Sequence, residues 1–386
     1  MSRCSNWSPV IETVQNRLSS WKANSLSMGG RLTLIKSVLS SLPIYYLSIF
    51  KAPGKVVDRI EALMRNFLWS GTEEFKRIHW VAWEKVTTSK KVGGLGISRL
   101  RDVNVSLLSK WGWRFNIESD ALWRRFIEFI HCGRGLWSFL PVKKSLPGCW
   151  KSLVSALEST LVQGKPITHW SKGKLGNGGK LRFWNDLWYG DVVLKNRWPE
   201  LYKIDKNKKC LVKERIGIGS NGLRFLANWY RYPHTVAEIS EYQDLEKMLL
   251  SCKLSTAADT WVWGDGANEN FTVVGCKILL SKDRDGTRDT NFKWEAWVPL
   301  RINIHVWRAD QDRIPTKAAL IRRQVNLSDG LCPMCSMQNE DLDHLMVRCG
   351  FAYGVWSGIS KWCRKMEKKS SERYCYDRVL GDMECS

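Results

Sequence analysis

No run in this 386-residue chain reaches the roughly 20 uninterrupted apolar residues that crossing a bilayer requires. The greasiest stretch, Leu42 to Phe50, is short and carries Pro43 near its start. A transmembrane helix is therefore excluded. Met1 to Trp7 lead into no apolar core with a small-residue cleavage site, so no secretory signal is expected. The chain also lacks any Asp-Asp dipeptide and any Gly-Lys-Ser/Thr phosphate loop. It is short neither of apolar residues (44%) nor of charge (25%), which excludes wholesale disorder and predicts a globular protein of two or three domains. Without a secretory signal, twelve cysteines read as reduced thiols or metal ligands in a nuclear or cytoplasmic setting.

What is abundant is positive charge and tryptophan. The formal charge is +22, and it is not spread evenly. Residues 1–150 hold 23 Lys+Arg against 10 Asp+Glu, residues 151–215 hold 14 against 6, and the rest hold 23 against 22, so +21 lies before residue 216. An excess of that size favours a polyanion through counterion release, with nucleic acid the usual partner, although a merely soluble basic protein is the alternative. The 22 tryptophans follow no fixed period and read mainly as core anchors, with a minority available to stack on unpaired bases.

The first third reads as helices. After Ser8-Pro9, Val10, Val14, Leu18 and Trp21 recur at helical spacing; Ser27 to Gly30 is expected to break the pattern. Leu34, Ile35, Val38, Leu39 and Leu42 form a second stripe ending at Pro43, and Val57, Ile60, Met64, Phe67 and Leu68 a third, ending near Ser70-Gly71. Gly93, Gly94 and Gly96 read as a turn before a helix carrying Leu107, Leu108, Trp111 and Phe115. The glycine-rich stretch Gly173 to Gly179, followed by alternating Lys180 to Trp184, predicts a β-hairpin. Residues 203–213 form a basic loop, and the net acidic stretch 216–290 is expected to contain a domain boundary.

The strongest chemical signal is Cys332-Pro333-Met334-Cys335, then His344, then Cys349, with two, eight and four residues between successive ligands. Such a set suits tetrahedral zinc, and four protein ligands leave no position for an activated water, so the expected role is structural. A chance grouping within a cysteine-rich chain is the alternative. His79, His131, His169, His234 and His305 have no comparable companions and are expected to be structural.

In order along the chain, Trp21-Lys22, Leu26 to Arg31, Leu34 to Leu39, Leu42 to Tyr46, Asn66 to Trp69, Gly93 to Ile97, Asn104 and Lys110-Trp111 form one block of motifs. Gly176 to Gly178, Phe183 to Asp186 and Trp188 form another; Trp294, His305 to Ala309, Ile314 to Thr316 and Leu320 to Arg323 lead into the cysteine set, and Trp356 closes it. This pattern resembles the C-terminal part of the polymerase protein of plant LINE-type (non-LTR) retrotransposons, ending in the reverse-transcriptase zinc-binding domain. Val274-Gly275-Cys276 departs from it, since relatives usually carry Lys-Ser and an aromatic there.

The resemblance implies a mainly α chain with small β elements: a basic, thumb-like post-palm helical bundle (1–135), a middle segment with the Trp/Gly hairpin (136–270), a zinc-binding domain (271–356) and a tail (357–386). It implies structural Zn2+ on Cys332, Cys335, His344 and Cys349. Lys22, Arg31, Lys36, Lys110, Arg114, Lys180 and Arg182 are the expected contacts to RNA or DNA resembling a template–primer. Polymerisation by two metals needs converging carboxylates, and the palm that supplies them precedes Trp21 in family order. The chain is thus expected to be a non-catalytic fragment with no membrane partner and a nuclear or cytoplasmic location. A protein-interaction module of retroelement origin, and part of an active reverse transcriptase whose palm lies upstream, are the alternatives.

Overall fold

In a computed structural model of the chain, described for residues 3–19, 26–69, 77–131, 140–143, 145–219, 222–264, 270–285 and 292–364, helices dominate and the strands are short. Two compact units are present: Met1–Leu26, Arg31–Arg77 and Trp83–Thr290 form the first, and Ser27–Gly30, Ile78–Ala82 and Asn291–Ser386 the second.

Helix α1 (Ser8–Ser19) takes Pro9 in its first turn, where a missing N–H costs nothing, and buries Val10 and Val14 beside Trp7. Trp21 lies outside the described residues. The break expected at Ser27 to Gly30 ends at Ser27, and both glycines lie inside the next helix. Helix α2 (Met28–Leu34) admits both glycines in its first turn because the Ser27 hydroxyl accepts from Gly30 N (3.2 Å), capping an N–H that would otherwise be unpaired. The helix continues through a wider turn in which Ser40 N bonds Ile35 O, and it ends before Pro43. Helices α3 (Ile44–Ile49) and α4 (Gly54–Leu68) follow, and α4 buries Val57, Ile60, Met64, Phe67 and Leu68 as the third stripe requires.

A short helix, α5 (Trp83–Val86), precedes the glycine turn, where Gly93 and Gly96 adopt left-handed φ values of 76° and 70°. Helix α6 (Leu100–Ile117) is then held at two points. Glu61 accepts from Leu100 N (2.8 Å) and from Trp83 Nε1 (2.9 Å); Asn104 donates to Leu47 O and Phe50 O and accepts from Ala52 N, clasping the α3–α4 link.

Helices α7 (Leu122–His131) and α8 (Cys149–Ser159) pack with α6 on a core that also takes in Trp170, Trp263 and Cys276. This core crosses positions 135 and 270, the expected domain limits. Cys276, the departure from the family pattern, fills it as a small apolar group, with burial pushing its thiol up to about 11.

Strands β1 (Leu161–Val162) and β2 (Lys165–Pro166) form one hairpin, so the middle segment does contain hairpins. The one expected at Gly173 to Trp184 is corrected: β3 (Ser171–Lys174) pairs instead with a strand about ninety residues later. Lys180 to Trp184 makes only an isolated bridge, Arg182 to Leu211. After short helices α9 (Leu194–Arg197) and α10 (Pro199–Ile204) come the hairpin β4 (Ile216–Gly219) and β5 (Gly222–Phe225), helix α11 (Val236–Ser251), capped by Thr235, and β6 (Thr260–Trp263), the partner of β3.

The glycine loop folds onto a carboxylate rather than a strand. Asp259 accepts from Gly176, Gly178 and Lys180 N at 2.8 Å each and from Leu181 N at 3.1 Å. Phe183, Trp184, Trp188 and Trp198 then pack with Leu245 and Leu249 of α11. Beneath them a buried pair, Arg215 and Asp205 (2.7 Å), also receives Trp184 Nε1 (3.0 Å). Helix α12 (Val273–Asp285) completes this unit through its packing on α6.

The second unit contains α13 (Leu300–Asp310), α14 (Lys317–Ile321) and α15 (350–364), the last running into the expected tail. Trp307 is fully buried, and Asn303 Nδ2 donates to Glu295 O and Val298 O, fixing the approach to α13. No helix among the described residues is long and apolar enough to cross a membrane.

Candidate metal centre

Cys332 and Cys335 sit at the ends of a tight turn. Cys332 N bonds Gln338 O (2.7 Å), Ser336 N bonds Cys332 O (2.7 Å), and Ser336 takes a left-handed φ of 55°, which curls the chain so that both sulfurs face inward. Leu331 and Asn339 bridge the base of this loop. Glu340 N to Gly330 O and Ala318 N to Glu340 O tie it to α14, whose N-terminus Thr316 caps.

The other two ligands come from the turn of helix that follows. Asp341 Oδ1 accepts from His344 N (2.7 Å) and starts the turn; Cys349 N bonds His344 O, five residues back, which widens it and brings Cys349 round to the histidine's side. One donor atom from each of Cys332, Cys335, His344 and Cys349 lies within 4.8 Å of all the others. Zn–S bonds of about 2.3 Å and Zn–N bonds of about 2.0 Å set tetrahedral ligand atoms roughly 3.5–3.8 Å apart, so the four residues fit zinc.

The surroundings suit the ion as well. Nδ1 of His344 lies 3.1 Å from Gln338 Oε1, leaving Nε2 3.3 Å from Cys335 Sγ. The backbone N–H of Met337, with that of Gln338 and the His344 ring, draws the Cys335 thiol down to about 6, into the range where the metal-binding thiolate prevails near neutrality. Burial pushes Cys332 the other way. Cys332, His344 and Cys349 are buried and only Cys335 is partly open. A centre so enclosed, with four protein donors, can hold a fold together and has no place for a reacting water. Gln338 carries no signal in the sequence, because an amide has no metal-binding signature; only its six-residue offset from His344 hints at the role.

The seven expected nucleic-acid contacts fare differently. Lys22 lies outside the described residues. Lys36, Lys110 and Lys180 are exposed, and Lys36 stands near Lys90, with its pKa lowered first by partial desolvation of the ammonium and then by that neighbour. The three arginines are engaged within the fold. Arg31 donates to Leu68 O and Leu26 O; Arg114 pairs with Glu118 (2.6 Å) and lies over the rings of Trp111 and Trp123; Arg182 grips Asp186 through Nε and Nη2. All six described residues lie in the first unit.

Residues 271–356 match the family described as zinc-binding in reverse transcriptase. Along nearly its whole length the chain is similar to an Arabidopsis thaliana protein whose name describes it as a ribonuclease H protein: 30% identity over 388 residues, 97% of this chain and 59% of that protein. It thus spans about three fifths of that relative's length. An uncharacterized mitochondrial protein of the same plant is 28% identical over 152 residues, 39% of this chain and 94% of its own. Residues 271–356 are thus similar to the zinc-binding domain of reverse transcriptases. The matched stretch begins inside the first unit, where α12 packs, and carries the ligands in the second.

Proposed function

We propose that this chain is a non-catalytic part of a LINE-type retroelement reverse transcriptase, binding RNA or DNA through its basic helical unit while a structural zinc centre holds the second unit together. The observation that carries the reading is the placement of +21 of the +22 net charge before residue 216 in a chain that also matches the zinc-binding domain of reverse transcriptases. The partner that suits this charge is the phosphate backbone of a template–primer duplex, recognised by shape and spacing. The setting is the nucleus or cytoplasm, where thiolates stay available to zinc. The Arabidopsis relative's name points to ribonuclease H chemistry, which we assign to no residue of this chain.

The test is a pair of assays on the purified chain with magnesium or manganese: primer extension on an RNA template, and cleavage of an RNA–DNA hybrid. Binding without turnover in either is expected. Template-dependent incorporation would refute the non-catalytic reading, and absence of salt-sensitive binding would instead favour a protein-interaction module.

A further inference from the structure

The second unit holds a cluster of guanidinium groups that the zinc centre does not use. His79, Trp80 and Ala82, with Asp312, Arg313, Ala319, Arg322 and Arg323 from α14 and the turns beside it, line a cavity of about 450 Å³. Arg323 is held over the Trp80 indole, 4.7 Å from its centroid, because two of its N–H groups donate to His79 O (3.2 Å) and Trp80 O (3.0 Å). Arg308 lies 5.6 Å from the same ring and donates from Nε to Arg313 O, which fixes the backbone beside the cavity.

The charges around this cavity do not balance. Three guanidiniums line it against one carboxylate, Asp312, whose pair with Arg322 (2.6 Å) is open to solvent and so weak and exchangeable. Arg313 donates one N–H to Asp312 O. Burial and then the proximity of Arg313 and Arg322 lower Arg323, a sign that the three cations are crowded together. Such planar forks suit the oxygens of a phosphate: Arg313 and Arg322 offer theirs, while Arg323, whose Nη groups are bonded to backbone carbonyls, adds its fixed charge.

We infer that Arg313, Arg322 and Arg323, set around Trp80, form a second phosphate site that holds the backbone of a single-stranded RNA or DNA. This rests on the nucleic-acid reading above and adds a point of attachment within the zinc-bearing unit, on residues other than those whose charge suggested that reading. The site is accessible, since Arg313, Arg322 and Arg323 are exposed, and an indole beside clustered guanidiniums is the combination that single strands use.

The test uses the full zinc-loaded chain and a short single-stranded RNA carrying 5-iodouridine. Affinity is measured across a salt series and photocrosslinks are mapped. R313S/R322S is expected to bind several-fold more weakly, to flatten the salt slope by about 0.7 for each phosphate it no longer neutralises, and to lose crosslinks to the peptide containing Trp80. R313K/R322K, keeping the charge without the fork, should recover the slope but not all the affinity. Equal zinc content in all three proteins shows that the unit remains folded. Wild-type slope and affinity in R313S/R322S, with crosslinks confined to the first unit, would overturn this site and leave the wider reading standing. Salt-insensitive binding by the wild type would overturn both. Displacement of the RNA by inorganic phosphate at constant ionic strength would assign the site to free phosphate and overturn the strand assignment.

Discussion

Gln338 Oε1 lies 3.1 Å from His344 Nδ1, and this pairing decides which nitrogen of the imidazole faces the sulfurs. With Nδ1 carrying the proton toward the amide oxygen, Nε2 is left as the lone-pair donor beside Cys335. Replacing Gln338 by Ala should weaken zinc binding by about 10- to 100-fold, measured by competition with a chromophoric chelator, while Q338E, which keeps the acceptor, should stay near wild type. Equal affinities for all three proteins would show that Gln338 does not orient the ring.

Loss of a ligand should be more drastic. Cys335→Ser should abolish stoichiometric zinc and raise hydrogen exchange across residues from about 294 to 356, because binding energy is folding energy in a site with no preformed unfolded counterpart. Helices α1 to α6 should keep their protection, since α4 and α6 bury their apolar faces within the first unit. Cys363→Ser, at an exposed thiol, should change nothing; the same is expected of Cys375, which lies outside the described residues. Full zinc occupancy in the Cys335 variant would mean that the ligands are misassigned.

Asp259 anchors the glycine loop, and its removal strands four backbone donors. Asp259→Ala should cost about 3–5 kcal/mol in urea unfolding, as expected when the acceptor of several buried hydrogen bonds is removed. Burial works against its carboxylate, but the N–H groups of Lys180, Gly176, Gly178 and Leu181 outweigh that and hold its pKa below the usual range. A depressed pKa stabilises the fold at pH values above the unfolded Asp value of about 3.9, and the contribution is lost as pH falls through the lower folded value. The wild type and Asp259→Ala should therefore differ most near neutrality and converge in strong acid. A constant difference at all pH values would contradict this account.

The three exposed lysines are the direct test of the first unit's charge. Replacing Lys36, Lys110 and Lys180 together by Ser should flatten the slope of log K against log salt by about 0.9 for each duplex phosphate left without its lysine, with zinc content unchanged. An unchanged slope would remove these residues from the interface. A fragment ending at residue 215 is unsuitable for this purpose, because the core around Trp184 draws on Phe225, Leu245 and Leu249.

Selectivity should be slight. Bonds to phosphates carry no sequence information, so templates of different sequence are expected to bind within about 1 kcal/mol of one another, less than one mismatch costs at a specific site. Competition with a panel of duplexes measures this, and a strong preference for one short motif would point to a regulator.

Much of the fold is local and is readable as such. The stripes ending at Pro43 and at Leu68, the left-handed turn at Gly93 and Gly96, and the spacing of the zinc ligands are each set by residues close together in the chain. Two misreadings have specific causes. At Gly29-Gly30 a propensity for breaking helices is overridden by the Ser27 cap, and at Gly176 to Leu181 the backbone donors find Asp259, some eighty residues away, instead of a neighbouring strand.

Arg31, Arg114 and Arg182 illustrate the wider limit: a sequence specifies the charge, but whether a guanidinium faces solvent or is spent on Leu68 O, Glu118 or Asp186 depends on what folding brings beside it. By itself the sequence determined the surplus of positive charge, the helical stripes and the identity of a metal-binding set, because these rest on composition and short spacing. Only the tertiary structure decided which cations are exposed, that Gln338 orients His344, and that Trp80 meets Arg323 across more than two hundred residues, because each depends on long-range packing that no local pattern encodes.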